Sequence, residues 1–384
     1  MQVIVKLTNQ CNLRCTYCSE GNPNDKRYLS ETVCQKMLAG LPELLDFCHD
    51  RKIDILWHGG EPLVYPREAL CRLMDYAQDI LSGYHLSFSM QTNGYAVNDD
   101  WLEVFRKYSV HVGVSLDGYQ ELHDQNRRTA DGQGSFAKIV SNIQKMQQAG
   151  IAVGTLMVLD TAQEIDADKL FDFALAVTSN IKIHPVIACG RAENRQDIDL
   201  VNQRYVELMK KLFARCVESD AYINISPLRE LLEAIIGNAD IGECSYGGTC
   251  GTKFICLYSD GEVGACGRRA RGQEYGSILA RSLLDLYNSL TAQKIRSRAA
   301  YLAEHDCQNC RYWKWCHGGC SFEAFNGTGD IFAKNLQCAA RKQLIQYIME
   351  DGVSLLKQKL IQRRNAYRKI IKLEKEILKE IEDA

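Results

Sequence analysis

The stretch Gln2-Val3-Ile4-Val5-Lys6-Leu7-Thr8 leads almost directly into Cys11-Asn12-Leu13-Arg14-Cys15-Thr16-Tyr17-Cys18. The first segment is a short apolar run and predicts a buried strand. The second then puts three thiols on a loop at that strand's end. Three thiolates can hold three irons of a four-iron cubane and leave the fourth iron open to a substrate. A purely structural cluster normally takes four cysteines. Three close cysteines also suit part of a tetrahedral zinc site, completed by a ligand from elsewhere. On spacing alone both readings stand.

The chain has 384 residues and a formal net charge of −2. That length predicts two or three domains and a sizeable core. The near-zero charge gives no reason to expect nucleic acid or a membrane surface as partner. No apolar run approaches the roughly 18 residues of a membrane span, and no signal peptide is visible, since charged residues begin at Lys6. Cysteine is the outlier, with 17 residues. The chain is too long for a small disulfide scaffold, so these thiols predict a reducing cytoplasm and metal or redox chemistry rather than bridges.

After the cysteine loop, strand and helix patterns alternate. Helices are expected over 30–48 with Ser30 as cap, 67–81, 101–107, 136–149, 166–177 and 199–218. Strands are expected over 54–57, 86–91, 110–116, 151–159 and 181–187. With the first strand this makes six repeats, and such alternation implies a parallel sheet, either doubly wound or an incomplete barrel. Polar and glycine residues recur at the carboxyl ends of these strands, where parallel α/β folds place their sites. They are Gly59-Gly60-Glu61-Pro62, Thr92-Asn93-Gly94, Ser115-Leu116-Asp117-Gly118 and Gly190. Each also reads as a plain turn. Arg127, a little further on, also reads as half of a surface ion pair.

From Cys250 the cysteines crowd again. Cys250 and Cys256 precede an Asp260-Gly261 hairpin turn, and Cys266 follows it. Then come Cys307-x2-Cys310-x5-Cys316-x3-Cys320 and a lone Cys338. The second group alone reads equally as a four-cysteine zinc ribbon. Cys244 has no counterpart in the pattern, and Cys34, Cys48, Cys71, Cys189 and Cys216 read as small buried hydrophobes. His58, His184 and His317 border these stretches and read as structural. Beyond Cys338 one long helix is expected to about Ile381. It would pack on the cysteine-rich part, extend as a charged solvated helix, or serve as a coiled coil or precursor-binding element.

The CxxxCxxC spacing with Tyr17 before the last cysteine resembles the radical S-adenosylmethionine (SAM) superfamily, and the second half resembles its SPASM extension. The resemblance spans Gln2 to about Cys338. It implies a partial (β/α)6 barrel over 1–225, a SPASM domain over 226–340 and a helical extension over 341–384. It implies SAM and three [4Fe–4S] clusters as cofactors. Cys11, Cys15 and Cys18 would hold the SAM cluster. Cys250, Cys256, Cys266 and Cys320 would hold the first auxiliary cluster, and Cys307, Cys310, Cys316 and Cys338 the second. SAM contacts would come from Tyr17, Gly59, Gly60, Glu61, Asn93, Ser115, Asp117, Arg127 and Gly190. In that family the Gly-Gly-Glu-Pro turn binds the methionyl ammonium, the serine meets the ribose region, and the arginine the SAM carboxylate.

Members of this branch mostly modify peptides or proteins. A 5′-deoxyadenosyl radical removes a hydrogen atom, and an auxiliary cluster takes a further electron. The chain is similar both to maturases that crosslink precursor peptides and to anaerobic sulfatase-maturating enzymes, which form formylglycine. The latter carry an aspartate directly after the third thiol of the first auxiliary cluster, where this chain has Gly267. A crosslinking peptide maturase, forming a C–C or thioether bond, is therefore expected ahead of a sulfatase activator. Its partners would be a precursor peptide or protein and an external flavodoxin- or ferredoxin-type electron donor. The chain opens at the first strand, so recognition is expected from the barrel, the SPASM domain or a separate protein. Asp260, Glu262, Arg268 and Arg269 are candidates for substrate binding or proton transfer. The reading of another class is a non-enzymatic iron–sulfur or zinc scaffold.

Overall fold

The computed structural model describes residues 1–20, 22–219, 223–237 and 241–382, with side chains to 374. Seven parallel strands follow one another across one sheet: β1 Gln2–Lys6, β2 Lys52–His58, β3 His85–Thr92, β4 His111–Ser115, β5 Val153–Leu159, β6 Asn180–Pro185 and β7 Asn224–Ser226. The six expected strands are all present. The three-residue β7 extends them, too short to carry a periodic signal of its own. The chain then returns to the opposite edge. There β8 (Phe254–Leu257) pairs in parallel with β1, and β9 (Glu262–Gly264) and β10 (Gly276–Ser277) continue antiparallel. The fold is mixed α/β, and one sheet of ten strands joins the barrel to the cysteine-rich part.

Helices cover the outer face. The segment expected as one helix from Ser30 divides into Glu31–Ala39 and Leu41–Phe47. Pro42 explains the break, since it has no N–H to continue the ladder. Ser30 occupies the cap position but makes no side-chain capping bond. Asn98 and Asp166 do cap their helices, accepting from Trp101 N and from Asp168 and Lys169 N. Each satisfies donors left open by the first turn. No helix among the described residues is long and apolar enough to cross a membrane.

Alternation along each strand decides which side chains meet the helices. Val3, Val5 and Leu7 of β1 and its continuation, Ile53, Ile55 and Trp57 of β2, and Ile255 and Leu257 of β8 share one buried core. Burying each such side chain contributes roughly 1.5–3 kcal/mol. By the same alternation Ile4, Lys6, Leu56, His58, Gln91, Ser115, Lys182, His184 and Cys256 face the barrel interior. That interior is largely polar, unlike the packed apolar interior of a closed barrel.

The C-terminal helix is nearly as expected. It runs as Cys338–Tyr347, one π-helical turn at Ile348–Gly352, then Val353–Glu382. Leu344, Ile345 and Ile348 are buried against the barrel helix Ile198–Glu218 through Met209, Leu212 and Phe213. Further on, Leu360, Ile361, Tyr367, Ile370 and Leu373 are exposed.

If β8 is part of the barrel core, Leu257→Ala should cost about 2–5 kcal/mol, as for other large-to-small changes in a packed core. Urea unfolding of the two proteins measures this. A loss below about 1 kcal/mol would mean that β8 only rests against β1.

Candidate active site

The loop 11–18 is held by backbone pairing with the segment that follows Asp117. Arg14 N donates to Arg128 O at 2.6 Å, and Thr16 N to Asn126 O at 3.0 Å. The Cys11, Cys15 and Cys18 thiols are close enough to perturb one another electrostatically. Burial pushes the free Cys11 thiol up to about 12, with Glu61 adding to it, and the Cys15 thiol up to about 11. Loading a metal here therefore releases protons.

The Gly59-Gly60-Glu61 turn lies against this loop's entry. A Cβ on Gly60 would stand 2.4 Å from the carbonyl oxygens of Asn9 and Gln10, and one on Gly59 (φ +146°) 2.5 Å from Thr8 O. Both glycines are thus required by close approach of the chain to itself, where the sequence suggested approach to a ligand. Glu61 is buried and accepts from Leu63 N (3.0 Å), Thr92 Oγ1 (2.5 Å) and Asn93 N (2.7 Å). Burial outweighs these donors and raises its carboxyl to about 7. Asn93 then reaches Asn12 Oδ1 at 2.7 Å and Cys11 Sγ at 3.7 Å. The end of β3 is in this way tied to the first thiol.

Asp117 centres the other side. Its Oδ2 accepts from Arg127 Nε (2.9 Å) and from the Tyr17 hydroxyl, and its Oδ1 from Val158 N (3.0 Å). Arg127 also reaches Cys15 Sγ at 3.9 Å and lies over the Tyr17 ring. So Tyr17, Asp117, Arg127 and Cys15 form one buried network. Behind it, His123 Nδ1 accepts from Asp117 N (3.2 Å), and its other nitrogen faces Ser135 Oγ at 2.9 Å. Ser115 accepts from Gln91 at 3.0 Å. Gly190 (φ +56°) closes the site: a Cβ there would lie 2.3 Å from Cys18 O, which accepts from Arg191 N at 3.0 Å.

The later cysteines fall into two sets. Cys266 interacts electrostatically with Cys250 and Cys256, and Cys320 with Cys250 and Cys266. Cys307 does so with Cys310, Cys316 and Cys338, and these four line one small cavity. Among the described residues no group of three or more His, Cys, Asp or Glu is arranged to hold a single metal ion. Four thiols around one cavity are the number that either a cubane or a tetrahedral zinc would take. Cys244 lies near Cys250 and Cys266 as a further thiol.

The four residues proposed for substrate or proton handling are not brought together. Arg268 turns inward and donates to Glu323 at 3.3 Å. Asp260 and Arg269 pair at 2.5 Å, Arg269 also binds Glu274, and Glu262 stands beside this half-exposed group. Two residues not singled out in the sequence matter here. Lys6 is buried on β1, pairs with Glu20 at 2.5 Å and faces Cys256 and Cys266. Its signal was a charge inside an apolar strand. Arg298 lies between the two later thiol sets and donates to the carbonyls of Gly318, Gly319, Ile331 and Ala333 at 2.7–3.0 Å. It sits in an ordinary charged helix, so nothing in the sequence marks it.

Removing this guanidinium orphans four carbonyls, and a charged hydrogen bond contributes about 1.5–3 kcal/mol. Arg298→Met should therefore lower stability by at least about 3 kcal/mol. Urea unfolding checks this, and an unchanged value would refute the bracing role. A second expectation concerns His123, which burial holds down to about 4 from 6.5. The unfolded chain takes up that proton below about 6.5. Its contribution to stability is complete above that value and is lost as pH falls through about 4. The stability of His123→Gln should thus fall less steeply than wild type between those limits.

Comparison with known proteins places this geometry. Residues 5–174 match the model of the radical SAM superfamily. A cysteine-type anaerobic sulfatase-maturating enzyme of Clostridium novyi is 25% identical over 89% of this chain and 94% of its own. The solved structure of native anSMEcpe with bound AdoMet superposes with a TM-score of 0.80 at 19% identity, covering 93% of this chain and 99% of that one. Streptococcus suis SuiB bound to S-adenosylmethionine superposes at 0.63 and 16% identity, over 88% of this chain and 76% of its own. Matched by family model over residues 5–174 and by fold over nearly its whole length, this chain carries a radical SAM domain.

Proposed function

We propose that the protein is a radical SAM oxidoreductase acting on a residue within a peptide or protein. The observation that carries this is the grouping of its cysteines. Three thiols sit at the barrel mouth and two sets of four lie behind it, with Cys256 on β1's neighbouring strand joining the two regions. Cys11, Cys15 and Cys18 would hold the SAM cluster. Cys250, Cys256, Cys266 and Cys320 would hold one auxiliary cluster, and Cys307, Cys310, Cys316 and Cys338 the other. When bound, these clusters supply the electron that cleaves SAM to a 5′-deoxyadenosyl radical and accept the electron that the substrate gives up.

The chain's own residues do the positioning. Asn93, Ser115, Arg127 and Gly190 frame the SAM side, with Tyr17 and Asp117 holding Arg127 in place. The polar interior strands offer donors and acceptors to a peptide backbone. An external ferredoxin- or flavodoxin-type protein would provide reducing electrons.

The finer outcome we propose is a crosslink, a C–C or thioether bond, and Gly267 supports it. Sulfatase-maturating enzymes carry an aspartate there, whereas in this chain a Cβ would meet only Ile4 and Lys6, at 3.5–3.7 Å. The second reading, formylglycine formation, draws support from the full-length likeness to those enzymes. A carboxylate is also in the region, since Glu20 pairs with Lys6, whose side chain lies beside Gly267.

The test is anaerobic reconstitution, followed by iron counting and SAM cleavage after reduction. About twelve irons per chain are expected for three cubanes, with 5′-deoxyadenosine released. Cys310→Ala should lose about four of them while keeping SAM cleavage. Stoichiometric zinc without SAM cleavage would return the protein to the scaffold class. Mass analysis of peptides encoded beside the gene, with and without hydrazide treatment, separates the two outcomes. A crosslink removes two hydrogens and leaves no carbonyl, whereas formylglycine from cysteine or serine is an aldehyde that takes up the hydrazide.

A further inference from the structure

Between β6 and the cysteine-rich part lies a small, partly open polar cavity, lined by Lys182, His184, Glu243, Arg268, Glu323 and Arg341 among others. None of these six is a cluster thiol. We propose that this cavity is a substrate subsite for a carboxylate, either an Asp or Glu side chain or the C-terminus of the peptide. The inference rests on the peptide-substrate reading above and adds the chemistry that the substrate presents.

Lys182, Arg268 and Arg341 line this cavity with two carboxylates, and both carboxylates are already engaged. Glu243 accepts from Lys182 (2.6 Å), Ser245 N (2.7 Å) and the Ser245 hydroxyl. Glu323 accepts from Arg268 (3.3 Å) and Asn335 Nδ2 (3.0 Å) and lies 3.9 Å from Arg341. A guanidinium carries five N–H donors. Among the described residues the Arg268 side chain makes one hydrogen bond, the long one to Glu323. Arg341 donates to Ser245 O (2.7 Å) and Gln337 Oε1 (3.2 Å), while its buried Nε has no partner. Guanidinium donor capacity is therefore left over at this cavity. An incoming carboxylate answers it, since arginine suits a carboxylate by planar two-pronged geometry.

The cavity's neighbours support the same sign. His184 is held neutral, down to about 3, by burial and then by Lys182 and Arg268. The place also fits a substrate. Arg268 N donates to Cys266 Sγ at 3.4 Å. Cys189, after β6, is perturbed by both Arg268 and Cys18. An anion held here would lie between the SAM loop and the first auxiliary thiols, beside the reacting centre.

The test passes a synthetic mixture of random heptapeptides, with free and with amidated C-termini, over immobilised, cluster-loaded protein with SAM. Retained peptides should be enriched about tenfold, the change given by one charge-assisted contact. Enrichment in Asp or Glu at one position identifies a side-chain carboxylate. Enrichment in free over amidated ends identifies the terminus. Arg268→Gln and Lys182→Gln should both abolish the preference at wild-type iron content. If Arg268→Gln loses iron, Lys182→Gln decides. Peptides retained without acidic preference, or a preference that survives in an iron-replete variant, would overturn the subsite alone. No retained peptide at all would overturn the peptide-substrate reading, and the subsite with it.

Discussion

The pairing of β8 with β1 is the constraint on which the rest depends. Its register sets Cys256 opposite Ile4, on the face that also carries Lys6. A slip of one residue would turn Cys256 out among the helices and bring Ile255 or Leu257 into the barrel. The same pairing sets Gly267 beside Ile4 and Lys6 and brings Cys256 and Cys266 up to the strand that leads into the loop 11–18. The edge of the sheet at β1 is covered by strands of the cysteine-rich part. This also removes an unpaired strand edge.

Buried arginine is the second theme. Arg127 serves Cys15, Arg268 lies by Cys266 and Cys320, Arg298 sits between the two later sets, and Arg341 lies near Cys316 and Cys320. An isolated buried charge is very costly, so each is tied to carboxylates or carbonyls. Arginine keeps its charge under such desolvation better than lysine. Thiolates gathered in threes and fours carry negative charge when metal is bound, and fixed cations beside them offset it. Arg268, with one long bond to Glu323, is the least fully partnered of the four, and it lines the polar cavity together with Arg341.

Much of the fold was legible in the sequence, because its signals are periodic and local. Six strands and most helices fall where apolar spacing put them. The breaks come where a single residue overrides the pattern, as Pro42 does. The cysteine partition was read from spacing against a family pattern; in the structure Cys307, Cys310, Cys316 and Cys338 line one cavity. The roles of individual turn residues were less legible. Gly59, Gly60 and Gly190 are needed to let the chain pass close to itself, a demand that lies in distant backbone rather than in the turn.

The sequence by itself determined the strand–helix alternation, the thiol loop and the number of thiols in each later set, since these depend on short-range order and residue type. Only the tertiary structure decided that β8 joins β1, that Lys6 and Glu20 stand between two thiol groups, that Arg298 braces four carbonyls, and that Arg268 turns inward while Asp260 and Glu262 do not. Each of these brings together residues far apart in the chain, through strand register and helix packing. Such contacts leave no local pattern to read, because the free energy that selects them belongs to the assembled core.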